Sequence, residues 1–255
     1  MRQMVLLSLI SLTISTFSQV KYIAHRGASY IAPENTMASV NLAWELGADA
    51  VEIDVYLSLD NQIMVCHDDT TFRTSGVKLV ISKSKSKLLR KLDMGNWKDH
   101  KYAGEKMPYL TEVINSIPPH KNLVVEIKCG KEIIPYLKEI MDTTPKAKQI
   151  IFISFGWETI TETKKAFPNN KCYWLSEETE GLTDKIKETA QNKLDGINLD
   201  SEIINQSIMN QARHYKLDVL CWTVDDPAEA KKLIKLGVSG ITTNRPAWLK
   251  QQVNK

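Results

Sequence analysis

Short segments in which apolar and polar residues alternate at period two are separated, over much of the chain, by stretches with helical spacing. The first strand is expected at Tyr22 to His25. A helix should follow from about Thr36 to Leu46: Met37, Val40, Ala43 and Trp44 fall on one face, and Gly47 stands where a left-handed C-cap is wanted. Ala48 to Val55 reads as the second strand, with Val51, Ile53 and Val55 on one side and Glu52 and Asp54 together on the other. Between Asp54 and His67 only Tyr56 to Gln62 is available, with an Asp60-Asn61 turn, so a full crossover helix does not fit. From Tyr109 onward the pattern becomes regular. Helix Thr111 to Ser116 precedes strand Asn122 to Lys128, helix Lys131 to Met141 precedes strand Gln149 to Ser154, and helix Glu158 to Phe167 precedes strand Lys171 to Leu175. Further apolar runs lie at Gly196 to Leu199, Asp218 to Val224 and Val238 to Thr242. The helix after Val224 is well punctuated, with Asp225 or Asp226 to cap it, Pro227 in its first turn and Gly237 to close it.

Strand and helix patterns that take turns at this spacing imply an α/β fold with a parallel sheet covered by helices. Nine strand candidates for an eight-stranded closure leave one as a loop or an extra. A doubly wound sheet is the alternative, but no glycine-rich dinucleotide fingerprint follows any strand, and polar residues stand at the C-terminal ends of many different strands. The expected architecture is therefore a distorted (β/α)8 barrel forming one domain over residues 19–255. Residues 69–107, which carry Lys83, Lys85 and Lys87 alternating with serines and then Leu92 to Trp97, lack a long period and are expected to be an insertion capping the barrel mouth.

Charge narrows the partner. Thirty-three Lys and Arg against thirty Asp and Glu give a formal charge of +3, too balanced for a nucleic-acid binder by bulk electrostatics, and a small molecule is expected instead. Residues 1–18 differ from the rest: Arg2 supplies a positive start, Met4 to Leu12 is apolar except for Ser8 and Ser11, and Thr16 and Ser18 precede a cut before Gln19. This pattern reads as a signal peptide for export to the periplasm or exterior. It is too short for a bilayer span of roughly 20 residues. Four cysteines in an exported chain invite disulfides, but Cys66, Cys129 and Cys221 each neighbour a residue of opposite facing, which sends the thiols toward the helix layer as small buried hydrophobes; a Cys66–Cys129 bridge between adjacent strands is the alternative.

The polar residues at the strand ends are His25 and Arg26, Glu52 and Asp54, His67, Glu126 and Lys128, then Trp222 and Asp225. In Glu126-Ile127-Lys128 the same parity turns Glu126 and Lys128 to the lumen. Three carboxylates from two strands can hold a hard divalent cation, Mg²⁺ or Ca²⁺. Arg26, Lys128 and such a cation suit the charge of a phosphate. Two histidines supply a general acid and a general base.

His25-Arg26-Gly27 with its downstream Pro-Glu-Asn-Thr, then VEIDV, VCHD, VVEIK and LCWTVD in that order, resembles the glycerophosphodiester phosphodiesterase family from Tyr22 to about Trp248. The resemblance implies a distorted (β/α)8 barrel, a divalent metal and hydrolysis of a glycerophosphodiester to glycerol 3-phosphate and an alcohol. On matching positions it implies Glu52, Asp54 and Glu126 as metal ligands, His25 and His67 as acid and base, Arg26 and Lys128 on the phosphate, and Trp222 beside the substrate. Residues 69–107 resemble the family's insertion, and Asn244 stands where many members carry aspartate.

Plainer readings compete. Trp222 can be a core aromatic, Lys128 can simply pair with Glu126, and the Lys83 to Lys87 run is most simply a solvated face. Glu34 and Asn35 read as loop and helix-cap residues, with Glu34 placed to support Arg26. His100, His120 and His214 have no motif around them and are expected on the surface. Two other functions compete as well: a sphingomyelinase D-like or lysophospholipase D-like phospholipase, and a catalytically silent phosphodiester-binding barrel. No histidine or carboxylate of the pattern is missing, which disfavours the silent barrel.

Overall fold

A computed structural model describes residues 20–255; the expected signal peptide lies outside the described residues. In chain order the main elements are β1 Lys21–Ala24, α1 Met37–Glu45, β2 Ala50–Leu57, β3 Ile63–Val65, α2 Phe72–Ser75, α3 Ser86–Leu89, α4 Leu110–Ser116 and β4 Asn122–Ile127. They continue with α5 Ile134–Thr143, β5 Ile150–Ser154, α6 Trp157–Ala166, β6 Cys172–Ser176, α7 Leu182–Gln191, β7 Gly196–Asp200, α8 Gln206–His214, β8 Asp218–Trp222, α9 Pro227–Leu236, β9 Gly240–Thr243 and α10 Pro246–Val253. The strand order β1-β9-β8-β7-β6-β5-β4-β2, closed by a parallel β1–β2 pairing, is an eight-stranded parallel barrel.

The ninth strand is β3. It pairs antiparallel with β2, Val55 opposite Val65 and Leu57 opposite Ile63, and with no other barrel strand. This hairpin answers how the chain travels from Asp54 to His67 without a helix: it folds straight back on itself, and the Cys66 amide donates to the Asp54 carbonyl at 3.0 Å.

Period-two alternation sorts side chains as expected. Val51, Ile53 and Val55 of β2 and Leu123, Val125 and Ile127 of β4 pack outward with the helices, while Ile23, Ala50, Val124, Ile153, Tyr173, Leu175 and Leu220 fill the lumen. Helix α1 begins at a Thr36 cap that forms a reciprocal capping box with Ser39, and Gly47 follows it at φ +80°. Helix α9 is capped by Asp226, not Asp225, and ends at Gly237 in the left-handed region.

The insertion between β3 and α4 holds only one-turn helices, in keeping with its missing period. It is anchored by its own core of Met64, Cys66, Ile81, Leu89, Met94 and Met107. Cys66 thus packs under the insertion and not against the helix layer, because it directly follows β3, a hairpin arm and not a barrel stave. Cys172 and Cys221 do join the outer core, Cys129 packs against it, and all four thiols are free, so no Cys66–Cys129 bridge forms. Among the described residues no helix is long and apolar enough to cross a membrane.

Candidate active site

The C-terminal ends of the strands open into one cavity of about 230 Å³. His25 and Arg26 follow β1, Glu52 comes from β2 and Glu126 from β4, with Lys128 and His67 beside them. Strands β5 to β8 supply a second, more apolar wall of Ile153, Phe155, Leu175, Asn198 and Trp222.

The register explains the carboxylate cluster. Asp54 and Glu126 are direct partners across β2–β4, and Glu52 lies two residues back on the same face as Asp54. One oxygen from each of Glu52, Asp54 and Glu126 lies within 4.8 Å of the others. All three residues are buried; Glu52 Oε1 and Asp54 Oδ1 have no hydrogen-bond partner, and Glu126 Oε1 meets only the Lys128 ammonium, at 2.9 Å. Burial first, then repulsion from Asp54, pushes the Glu126 carboxyl up to about 7; burial, with Asp54 and Glu126 next, pushes Glu52 well above the usual carboxylate range. Crowded, mutually repelling carboxylate oxygens are the donor set a hard divalent cation takes, so the residues fit Mg²⁺ or Ca²⁺.

Cationic groups surround the cluster. Lys128 Nζ lies 2.9 Å from Glu126 Oε1 and 3.8 Å from Asp54 Oδ1, and Arg26 Nε lies 3.4 Å from Asp54 Oδ2. Burial works against the charged Lys128, but Glu126 and Asp54 outweigh it and raise its pKa. Lys128 therefore does pair with Glu126, while also lining the cavity.

Local backbone sets Arg26 in place. Arg26 and Gly27 both adopt positive φ, +54° and +82°, and this turn lets the Arg26 amide donate to Glu52 Oε2 at 2.9 Å. A Cβ on Gly27 would meet Ser39 at 2.5 to 2.7 Å, so only glycine fits between the turn and α1.

The histidines are held differently. His25 Nδ1 faces Asn244 Oδ1 at 2.8 Å; the Asn244 amide is oriented by its own donation to Asp225 Oδ2 at 2.7 Å, so Oδ1 is left to accept from His25. Burial, helped by Arg26, lowers the His25 pKa. His67 Nδ1 lies 2.7 Å from Asp68 Oδ1, and its Nε2 lies 3.4 Å from Lys128 Nζ. Both rings thus engage Nδ1 with an acceptor and line the cavity. Trp222 sits half-buried in the opposite wall, its indole donating to the Asn198 carbonyl at 3.3 Å and meeting Phe155 edge-on at 5.6 Å.

All eight residues picked from the sequence therefore converge, and the structure adds others. Asn35 is 4% exposed and donates to Asp54 Oδ2 at 2.8 Å while accepting from the Asp54 amide at 3.2 Å; the helix cap is Thr36 instead. Glu34 accepts from Arg26 Nη1 at 3.0 Å. Asn198 is buried with an unpartnered Oδ1. Asp68 and Arg73 stand behind His67. Only adjacency to His67 could have flagged Asp68; Arg73 and Asn198 carry no sequence signal. His100, His120, His214 and Lys83, Lys85 and Lys87 are exposed and away from the cavity.

Comparison with known proteins agrees with this geometry. Residues 25–248 match the model of the glycerophosphoryl diester phosphodiesterase family. A glycerophosphodiester phosphodiesterase of Caldanaerobacter subterraneus subsp. tengcongensis is 32% identical over 91% of this chain and 97% of its own length. A putative one of Bacillus subtilis, YhdW, is 29% identical over 89% of this chain and 95% of its own. Among solved structures, a phosphodiesterase of Oleispira antarctica in complex with the product sn-glycerol-3-phosphate superposes with a TM-score of 0.85 at 28% identity, covering 92% of this chain and 97% of that one.

Proposed function

Since the chain belongs to the glycerophosphoryl diester phosphodiesterase family, we propose that it hydrolyses glycerophosphodiesters to glycerol 3-phosphate and an alcohol, with His25 and His67 exchanging protons with the substrate beside a cation site formed by Glu52, Asp54 and Glu126. The observation that carries this reading is the meeting, in one cavity, of three clustered carboxylates, two fixed imidazoles, and the cations Arg26 and Lys128. The product bound to the Oleispira antarctica relative supports the same substrate class.

A divalent cation held there supplies positive charge against the phosphate oxygens. The chain's own residues account for the rest. Arg26 and Lys128 meet the non-bridging oxygens with charge-assisted hydrogen bonds. With Nδ1 of each ring committed to Asn244 or Asp68, Nε2 is the atom left to move a proton: one imidazole takes it from the nucleophile and the other returns one to the leaving alkoxide. Phe155, Leu175 and Trp222 give the organic part of the substrate an apolar wall that excludes water, and Asn198 Oδ1 offers an acceptor to one of its hydroxyls.

His25→Ala and His67→Ala test the assignment. Each should lower turnover by about 10² to 10⁴-fold, the usual contribution of a positioned acid or base. Wild-type rates in either variant would remove that histidine from the mechanism. We also read residues 1–18 as an export signal, on Arg2, the Met4 to Leu12 run and the small residues Thr16 and Ser18. N-terminal sequencing of the exported protein should begin at Gln19, and recovery of an intact Met1 start outside the cell would count against cleavage.

A further inference from the structure

Two loops carry the groups assigned to phosphate binding and proton transfer: the β1–α1 loop holds Arg26, and the segment after β3 holds His67. Arg73, in the first turn of α2, spans them. Its Nε donates to Asp68 Oδ2 at 2.7 Å and its Nη2 to Asp68 Oδ1 at 3.1 Å; its Nη1 donates to Glu34 Oε2 at 2.9 Å and its Nη2 to Glu34 Oε1 at 2.8 Å. Each carboxylate has one further partner. Asp68 Oδ1 faces His67 Nδ1 at 2.7 Å, and Glu34 Oε1 accepts from Arg26 Nη1 at 3.0 Å. The result is an unbroken series, His67–Asp68–Arg73–Glu34–Arg26, in which one guanidinium is two-pronged toward both carboxylates. We propose that Arg73 is a positioning residue for the phosphodiesterase reaction: it locks the Asp68 carboxylate onto His67 and the Glu34 carboxylate onto Arg26, so that the proton-transfer ring and the phosphate-binding cation are set by one side chain.

The chemistry of the group explains why this role belongs to arginine. A guanidinium offers five donors in a planar fork and can satisfy two carboxylates at once, whereas a lysine ammonium is a point charge on a flexible stem. A carboxylate held at both oxygens cannot swing away from its imidazole. Nδ1 of His67 then keeps its proton and Nε2 stays directed at the cavity. Without Arg73, Asp68, about a quarter exposed, would be free to turn toward solvent, and Glu34 would be left with its single bond from Arg26. His67 and Arg26 would keep their chemical identity and lose their aim. Groups that orient a reacting side chain in this way are commonly worth 10–100-fold.

The proposal rests on the function assigned above, and its test includes a reading that does not need turnover. Arg73→Ala and Arg73→Lys are compared with wild type for hydrolysis of glycerophosphocholine and for the ¹⁵N spectrum of histidine-labelled protein. Both variants should lose roughly 10–100-fold in kcat/KM, the lysine variant nearly as much as the alanine, and millimolar guanidinium should recover part of the loss in Arg73→Ala where sodium chloride at equal strength does not. Neutral His67 should report the Nδ1–H tautomer in wild type and a mixture in the variants. If Arg73→Ala does not fold, Arg73→Lys, which keeps the charge, decides the matter. Arg73→Lys within twofold of wild type, or an unchanged His67 tautomer in the variants, overturns the proposal. A wild-type protein that hydrolyses no glycerophosphodiester overturns the assigned function instead, and the tautomer measurement still judges Arg73.

Discussion

Replacing Glu126 by glutamine should stabilise the cation-free protein at neutral pH and take away its response to cations. Burial and the neighbouring Asp54 carry the Glu126 carboxyl from 4.5 to about 7 in the folded chain, against roughly 4.3 when unfolded. A folded value above the unfolded one means that the folded state binds more protons between about pH 4.3 and about pH 7, so stability is lost as pH rises through that window. The difference of roughly 2.7 units, at about 1.36 kcal/mol each and with the folded group only half ionised at pH 7, amounts to about 3 kcal/mol at that pH. The attraction of Lys128 for the ionised carboxylate is already contained in that value. Glutamine cannot ionise and escapes the loss. Thermal melts in EDTA should therefore show the gap between Glu126→Gln and wild type widening by about 3 kcal/mol from pH 4 to pH 7, or roughly 6–12 °C for a domain of this size. Adding Mg²⁺ or Ca²⁺ at a hundredfold excess over Kd should raise wild type by about 2.7 kcal/mol and the variant by much less. A gap that stays constant with pH, or an equal cation response in both proteins, refutes the picture of three carboxylates forced together for a cation.

Other substitutions read other parts of the framework. Gly27→Ala places a Cβ 2.5 to 2.7 Å from Ser39 at φ +82°, and the backbone strain alone should cost about 1–3 kcal/mol, measurable as a lowered melting temperature; an unchanged melt would mean that the turn carrying Arg26 can relax. Asp225→Ala frees the Asn244 amide that faces His25 and should lower kcat/KM by roughly 10–100-fold, the range for groups that orient a working imidazole; full activity would show that His25 orients itself. Asp68, held down to about 2 chiefly by its hydrogen bonds to Arg73, has a folded pKa below its unfolded value of roughly 3.9 and, once solvent screening of this partly exposed carboxylate is discounted, contributes on the order of 1–2 kcal/mol that is present above roughly pH 4 and lost as pH falls toward 2. The melting gap between wild type and Asp68→Asn should accordingly hold steady from pH 7 to pH 5 and close below pH 4. A gap that persists at pH 2 would place its origin outside the ion pairs.

The barrel was legible where side-chain period and element type coincide. Val51, Ile53 and Val55 against Glu52 and Asp54 gave both the strand and the direction of its carboxylates, because a parallel strand packed by helices leaves its polar face only one place to go. The hairpin β2–β3 was visible only as a shortage of residues for a helix; that Ile63 to Val65 turns back antiparallel is decided by its pairing with β2, which no local pattern records. The same miss sent Cys66 to the wrong layer. Within the site, the residues proposed to react with substrate were marked by type and spacing, whereas Asn35 and Arg73 reach the site through contacts between distant or irregular segments. Asn35 bonds Asp54 nineteen positions away, Arg73 reaches Glu34 across thirty-nine, and such meetings exist only once the barrel has closed.

We propose above that this cavity cleaves a glycerophosphodiester with the help of a cation held by Glu52, Asp54 and Glu126. The measurement that bears on it most directly is the appearance of glycerol 3-phosphate when purified protein, stripped with EDTA, is given glycerophosphocholine and then Mg²⁺ or Ca²⁺. No product should appear before the cation is restored, and glycerol 3-phosphate with choline should be released steadily afterwards, but not by Asp54→Asn. Equal release in EDTA, or none from any glycerophosphodiester after either cation, would contradict it.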